Sequence, residues 1–206
     1  SVVRHLHDLK ILGPNTSLAH CVHVDTTEIN LIVDSGTAVV HNPVSNLKLG
    51  SGIPPIGRFV ESGALVTLGT DGAISGNDLD MWMALRLAAT LPKGYEMRPN
   101  IIDAKEALHM FTLNGAKALG KESLIGSIEV GKKADLILVN AQTIHSTPMF
   151  DPITHLVYST SKSDVTDVFV EGLRIVENGV CTTLNLENFL SQVRSMTSDI
   201  KMSLNG

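Results

Sequence analysis

Apolar residues in the first part of this chain come in short runs that stop abruptly on polar ones. Ser17-Leu18-Ala19 runs into His20, Thr37-Ala38-Val39-Val40 into His41, and Leu65-Val66-Thr67-Leu68-Gly69-Thr70 into Asp71. Runs this short, bounded by turn residues, predict strands. Between them the apolar positions recur at helical spacing. Asp25 with Glu28 three residues on forms a capping box; the helix it opens carries Ile29, Ile32 and Val33 on one face and closes at Gly36. Pro55 to Ser62 predicts a second helix, with Gly63 past its end. Asp78 opens a Met-rich helix reaching about Leu91, whose Met81, Trp82, Met83, Leu85 and Leu87 read as core. Val2 to Leu12 reads as a helix stopped by Gly13-Pro14. The stretch from His41 to Gly52 is polar and predicts a long loop.

The rhythm then changes. Residues 92–102, with Pro92, Gly94 and Pro99, read as a linker, and Asp103 with Glu106 opens a helix that runs to Gly120. Ser127 to Val139 predicts strand, tight turn and buried strand. Val168 to Val176 predicts a hairpin turning at Glu171-Gly172. Leu186, Phe189, Leu190, Val193, Met196 and Ile200 share one face of a final helix. The expected fold class is α/β: about three β/α units, the C-terminal part of a (β/α)8 TIM barrel, over residues 1–120. A small β-sandwich-like domain over 121–183 and a C-terminal helix over 184–206 complete it. A closed barrel needs eight β/α units. The chain therefore reads as the back part of an enzyme, with open strand edges unless it forms a homo-oligomer or pairs with a missing N-terminal half.

Composition narrows the partners. A hydrophobic content of 43% with 18% charged residues is that of a globular protein, and a net charge of -5 gives no basic surface for nucleic acid. No apolar run is long enough to span a membrane, and the opening residues lack the apolar core of a signal peptide. Cys21 and Cys181 stand far apart and read as free thiols of a cytoplasmic protein.

Chemistry concentrates where the strands end, the place where barrel enzymes carry it. The Asp71 carboxylate, with Gly72 behind it, could approach a cation; an ordinary Asp-Gly turn uses the same pair. His20 could bind metal, move a proton or polarise a carbonyl, or be a histidine bonded to a neighbouring strand. His23 could line the pocket or lie in solvent. His41, Asn42, Ser45, Asn46 and Lys48 make the next loop dense in hydrogen-bonding groups suited to a polar ring or ribose. Asn42 is held extended by Pro43. A Gly-x-x-x-x-Gly-Lys phosphate loop and a Gly-x-Ser-x-Gly elbow are both absent.

Three segments together resemble the amidohydrolase superfamily: Leu18-Ala19-His20-Cys21-Val22-His23, His41-Asn42-Pro43-Val44-Ser45-Asn46-Leu47-Lys48-Leu49-Gly50-Ser51-Gly52, and Leu68-Gly69-Thr70-Asp71-Gly72. The branch is that of the methylthioadenosine/S-adenosylhomocysteine deaminases and the related triazine hydrolases. Ile125 to Leu136 and the 168–176 hairpin are similar to the family's return from barrel to β-sandwich. The resemblance implies a metal-dependent hydrolytic deaminase of adenine-type purines, a small-molecule substrate, and zinc or iron as cofactor. Triazines or guanine are the alternative substrates. It implies that Asp71 binds the metal and shuttles a proton, that His20 contacts substrate, and that the loop from Asn42 to Asn46 faces the pocket. The family's His-x-His pair, third histidine and acid/base glutamate have no counterpart here. The expectation is therefore little or no activity for this chain alone. A non-catalytic truncated product or a purine-binding module is the rival.

Overall fold

The computed structural model describes residues 1–204. They fall into two compact units, one of residues 1–132 with 141–162, the other of residues 133–140 with those from Ser163 onward. The first unit opens with α1 (Val2–Asp8), shorter than expected because Lys10 turns to φ 58 and ends the helix. β1 (Ser17–Ala19) leads into α2 (Thr26–Ser35), whose N-cap is the expected reciprocal box. The Asp25 side chain accepts from the Glu28 amide and the Glu28 side chain accepts from the Asp25 amide, both at 2.9 Å. Gly36, at φ 71, closes the helix in the left-handed conformation that glycine adopts freely.

β2 (Ala38–His41) is followed by α3 (Pro43–Lys48), α4 (Ile56–Glu61) and β3 (Val66–Leu68). The helix α3 replaces the loop expected over 41–52. Pro43 at its first position supplies the helical φ and gives up only an N–H that has no helical partner. The polar Ser45 and Asn46 looked like loop residues, yet both are buried inside this helix. A short helical turn, α5 (Ala73–Gly76), follows β3. Then α6 (Met81–Glu96) starts at the Asp80 cap, not Asp78, and runs through Pro92. Its buried stripe of Trp82, Leu85, Ala88, Ala89 and Pro92 continues across the expected linker, and packing overrides the one hydrogen bond the proline removes. Met83, expected in the core, is exposed. The helix expected over 103–120 is two, α7 (Ala104–Phe111) and α8 (Leu113–Ala118), broken at Thr112. The Thr67 hydroxyl donates to Met110 O at 3.0 Å and the Asn114 amide donates to Val66 O at 2.9 Å, tying both helices to β3.

The three strands form a parallel sheet in chain order, with Leu18 opposite Val39 and Val40 opposite Thr67. Ala38, Val39, Val66, Ile32, Phe59, Leu85 and Ile102 make its core at 1% exposure or less. Burying each of the larger side chains stabilises the unit by roughly 1.5–3 kcal/mol. β1 and β3 each have one strand neighbour among the described residues. This unit also contains α9 (Pro152–Tyr158), capped by Asp151.

The second unit holds an antiparallel sheet of β4 (Leu136–Val139), β5 (Val165–Val170), β6 (Leu173–Glu177) and β7 (Val180–Cys181). The expected hairpin turn is present, with Glu171 at φ 51 and Gly172 at φ 81, the paired positive values of a tight hairpin. Two expectations differ. Residues 127–130 form no strand, and Ile137 and Leu138 on β4 are 41% and 48% exposed instead of buried. The last helix, α10 (Leu186–Leu204), is present and has no buried residue.

Candidate active site

Every candidate sits at or shortly after the carboxyl end of a strand: His20 and His23 after β1, His41 at the end of β2 with Asn42, Ser45 and Asn46 following it, and Asp71 just past β3. His20 follows β1, and its amide still donates to Val40 O at 2.9 Å. The chain then turns sharply, with His20 at φ 70 and Cys21 at φ 48. Asp71 is also left-handed, at φ 60. Non-glycine residues pay roughly 1–2 kcal/mol for this conformation, and the surrounding bonds hold them there. Such outliers cluster at sites of function.

Side chains of α3 and the Gly72 amide hold the His20 and Asp71 side chains. Asn46 Oδ1 lies 2.7 Å from His20 Nδ1, and the Ser45 hydroxyl donates to Asp71 Oδ2 at 2.7 Å. Gly72 N donates to Asp71 Oδ1, also at 2.7 Å. His20 Nε2 then faces Asp71 Oδ2 across 3.9 Å. One turn of α3 thus brings together a histidine from the first strand and a carboxylate from the third. Both side chains keep about a third of their surface open to solvent. The Ser45 bond, then the Gly72 amide, then Ser75 and His20, hold the Asp71 carboxyl below the usual aspartate range. An ionised acceptor beside an imidazole is a pair that can take a proton from water and pass it on.

Other candidates lie elsewhere. His41 is fully buried, and neither ring nitrogen has a partner. Burial, and then the neighbouring His20, push its pKa down to about 4, so it is neutral at pH 7. The Asn42 amide donates back to Val40 O at 3.1 Å and fastens the strand end. His23 is exposed and lines a groove of about 460 Å³ along β1, with Leu18, Cys21 and Glu28. Two further residues support the site. Lys48 Nζ donates to Ile74 O at 2.6 Å and anchors the loop that carries Asp71. Gly69 leaves room for Asn42, since a Cβ there would meet Asn42 Oδ1 at 2.4 Å; a glycine inside a strand pattern is the signal that points to such a close approach.

A match to the amidohydrolase family model covers residues 1–175. The chain belongs to the amidohydrolase family. It is 39% identical over 97% of its length to a 5-methylthioadenosine/S-adenosylhomocysteine deaminase of Syntrophobacter fumaroxidans, of which it covers 45%. It is 39% identical over 96% of its length to a 5'-deoxyadenosine deaminase of Methanosarcina acetivorans, again covering 45%. Among solved structures, an adenosine deaminase from Xanthomonas campestris with bound zinc superposes at TM-score 0.94, with 33% identity over 97% of this chain and 46% of that one. A zinc complex of an atrazine chlorohydrolase from Arthrobacter aurescens superposes at 0.87, with 27% identity over 93% of this chain and 43% of that one. The amidohydrolase chain thus spans a little under half the length of the relatives it matches.

Zinc in those neighbours raises the question of whether this chain can hold it. Among the described residues, no three of His, Cys, Asp and Glu gather where they could hold a metal ion. Asp71 offers a carboxylate, and His20 offers one ring nitrogen, since Nδ1 is taken by Asn46. A zinc site needs three or four protein ligands. The residues present here do not make one by themselves.

Proposed function

We propose that this chain carries the Asp71–His20 half of the site of a hydrolytic deaminase acting on adenosine-type substrates. The observation that carries the reading is the convergence of His20 and Asp71 from separate strand ends, fastened by adjacent residues of one helix. The names of the relatives supply the substrate class. In this reading Asp71 accepts a proton from the water that adds to the ring carbon bearing the exocyclic amine. His20, through Nε2, orients that water or the adduct. The proton returns to the amine, the carbon–nitrogen bond breaks and ammonia leaves, so one water is consumed for each ammonia released. The carboxylate is suited to this because its bonds to Ser45 and Gly72 keep it ionised.

The missing ligand set decides the behaviour of the chain alone. With one carboxylate and no cluster around it among the described residues, the 206 residues alone have little or no deaminase activity. A complete centre, with zinc as in the solved neighbours, would count Asp71 among its ligands and draw the others from outside these residues. The unpaired edges of β1 and β3 are where a further segment or a second copy would add. Among the described residues no helix is long and apolar enough to cross a membrane.

The test is turnover by a chimera joining this chain to the part of the Syntrophobacter fumaroxidans relative that it does not cover. Ammonia is expected from 5'-methylthioadenosine, and no chloride from atrazine. Chloride release without ammonia would move the protein to the triazine branch.

A further inference from the structure

Asn46 sits in the first turns of α3 with 1% of its surface exposed. Its Oδ1 is 2.7 Å from His20 Nδ1, while its own Nδ2 is buried without a partner. The amide therefore makes its one side-chain bond through the oxygen. An amide oxygen only accepts, so the ring nitrogen it meets must carry a proton. His20 is also pinned through its backbone, by the bond from its amide to Val40 O and the following turn from Cys21 N to Ala19 O. Main chain and Nδ1 are both fixed, and one ring atom is left to act. That atom, Nε2, stands 3.9 Å from Asp71 Oδ2, beyond the reach of a direct hydrogen bond, so the two groups face each other without being bonded to one another.

We propose that Asn46 is a positioning residue that holds the neutral His20 ring with its proton on Nδ1, reserving Nε2 as the only nitrogen that can exchange a proton or accept a bond in the site. The inference rests on the reading of His20 as a working group of the site. It assigns Asn46 a different task from contact with substrate: the side chain is already engaged, and its place beside Ser45 couples the aim of His20 to that of Asp71. A histidine whose second nitrogen is tied in this way keeps one tautomer through a catalytic cycle.

The test is nitrogen-15 NMR of the imidazole groups in the metal-free 206-residue chain above pH 8, with His20 assigned through a His20→Gln variant. Three proteins are compared: the unaltered chain, Asn46→Leu, which offers His20 no bond, and Asn46→Asp, which when ionised offers only acceptors. The unaltered chain and Asn46→Asp are expected to carry the proton on Nδ1. Asn46→Leu is expected to shift the tautomer ratio about tenfold toward the Nε2 proton, the factor that one hydrogen bond of ordinary net strength supplies. A ring protonated on Nε2 in the unaltered chain, or in Asn46→Asp, would overturn the proposal, because the amide would then be donating. An unchanged tautomer in a folded Asn46→Leu would overturn it as well. Should Asn46→Leu fail to fold, the other two proteins still decide between acceptor and donor. Neither substrate nor metal enters this readout, so the absence of ammonia in a turnover assay would count against the deaminase reading and leave this result standing.

Discussion

Lowering the pH from 7 to 5 should weaken the first unit through one side chain. His41 is fully buried, its ring nitrogens have no partners, and burial with the neighbouring His20 brings its pKa from an ordinary 6.5 down to about 4. In the unfolded chain the ring takes up a proton near pH 6.5; in the folded chain it resists until about pH 4. Folding is therefore unaffected by this group above pH 6.5, and stability is lost as the pH falls from there toward 4, because the unfolded state binds the proton first. Each pH unit separating the two values is worth about 1.36 kcal/mol. The full loss is then about 3 kcal/mol, of which about 2 kcal/mol is gone by pH 5. The assay is urea denaturation at pH 7 and pH 5 for the unaltered chain and for His41→Leu, which fills similar space with no titrating group. The unaltered chain should lose about 2 kcal/mol more than the variant between the two pH values. At pH 7 the substitution itself should cost little, since it removes two buried polar atoms that bond to nothing. Equal losses in the two proteins, or an NMR titration of His41 centred near the ordinary 6.5, would refute this reasoning.

Other outcomes follow from the same structure. Asp25→Ala removes the capping box of α2 and the Arg4 ion pair; chemical denaturation should show a loss of about 1 kcal/mol. Gly57→Ala places a Cβ 2.0 Å from Ile101 Cδ1 and 2.8 Å from Glu96 Oε1. The expected cost is about 1–3 kcal/mol, read as a lower melting temperature and eased when Ile101 is shortened to Val. Ser45→Ala takes away the largest influence holding the Asp71 carboxyl down, so carbon-detected NMR should find it titrating at higher pH than in the unaltered chain.

What could be read from the sequence was local or strongly patterned. The Asp25–Glu28 box and the Glu171-Gly172 turn are short-range rules that later packing does not alter. The three strands showed themselves as apolar runs, and His20 and Asp71 stood out because each ended one. The remainder depended on partners distant in sequence. Ser45 and Asn46 bond to residues 26 positions away, so α3 presents polar side chains where an amphipathic helix would show apolar ones. Pro92 lies inside a helix because its ring belongs to the buried stripe of α6. The break at Thr112 follows from bonds to β3 that no local pattern displays. His41 is a polar residue type at a strand end, and only the packed structure shows its ring fully buried with neither nitrogen partnered.

Ammonia release from 5'-methylthioadenosine, by the chimera with and without Asp71→Asn, measures directly whether Asp71 serves a deaminase. Turnover is expected in a folded, zinc-loaded chimera, with a loss of at least about a hundredfold on Asp71→Asn, the scale on which a positioned acid–base group acts. A folded, zinc-loaded chimera that releases no ammonia, or one that releases it equally well with Asp71→Asn, would contradict that role.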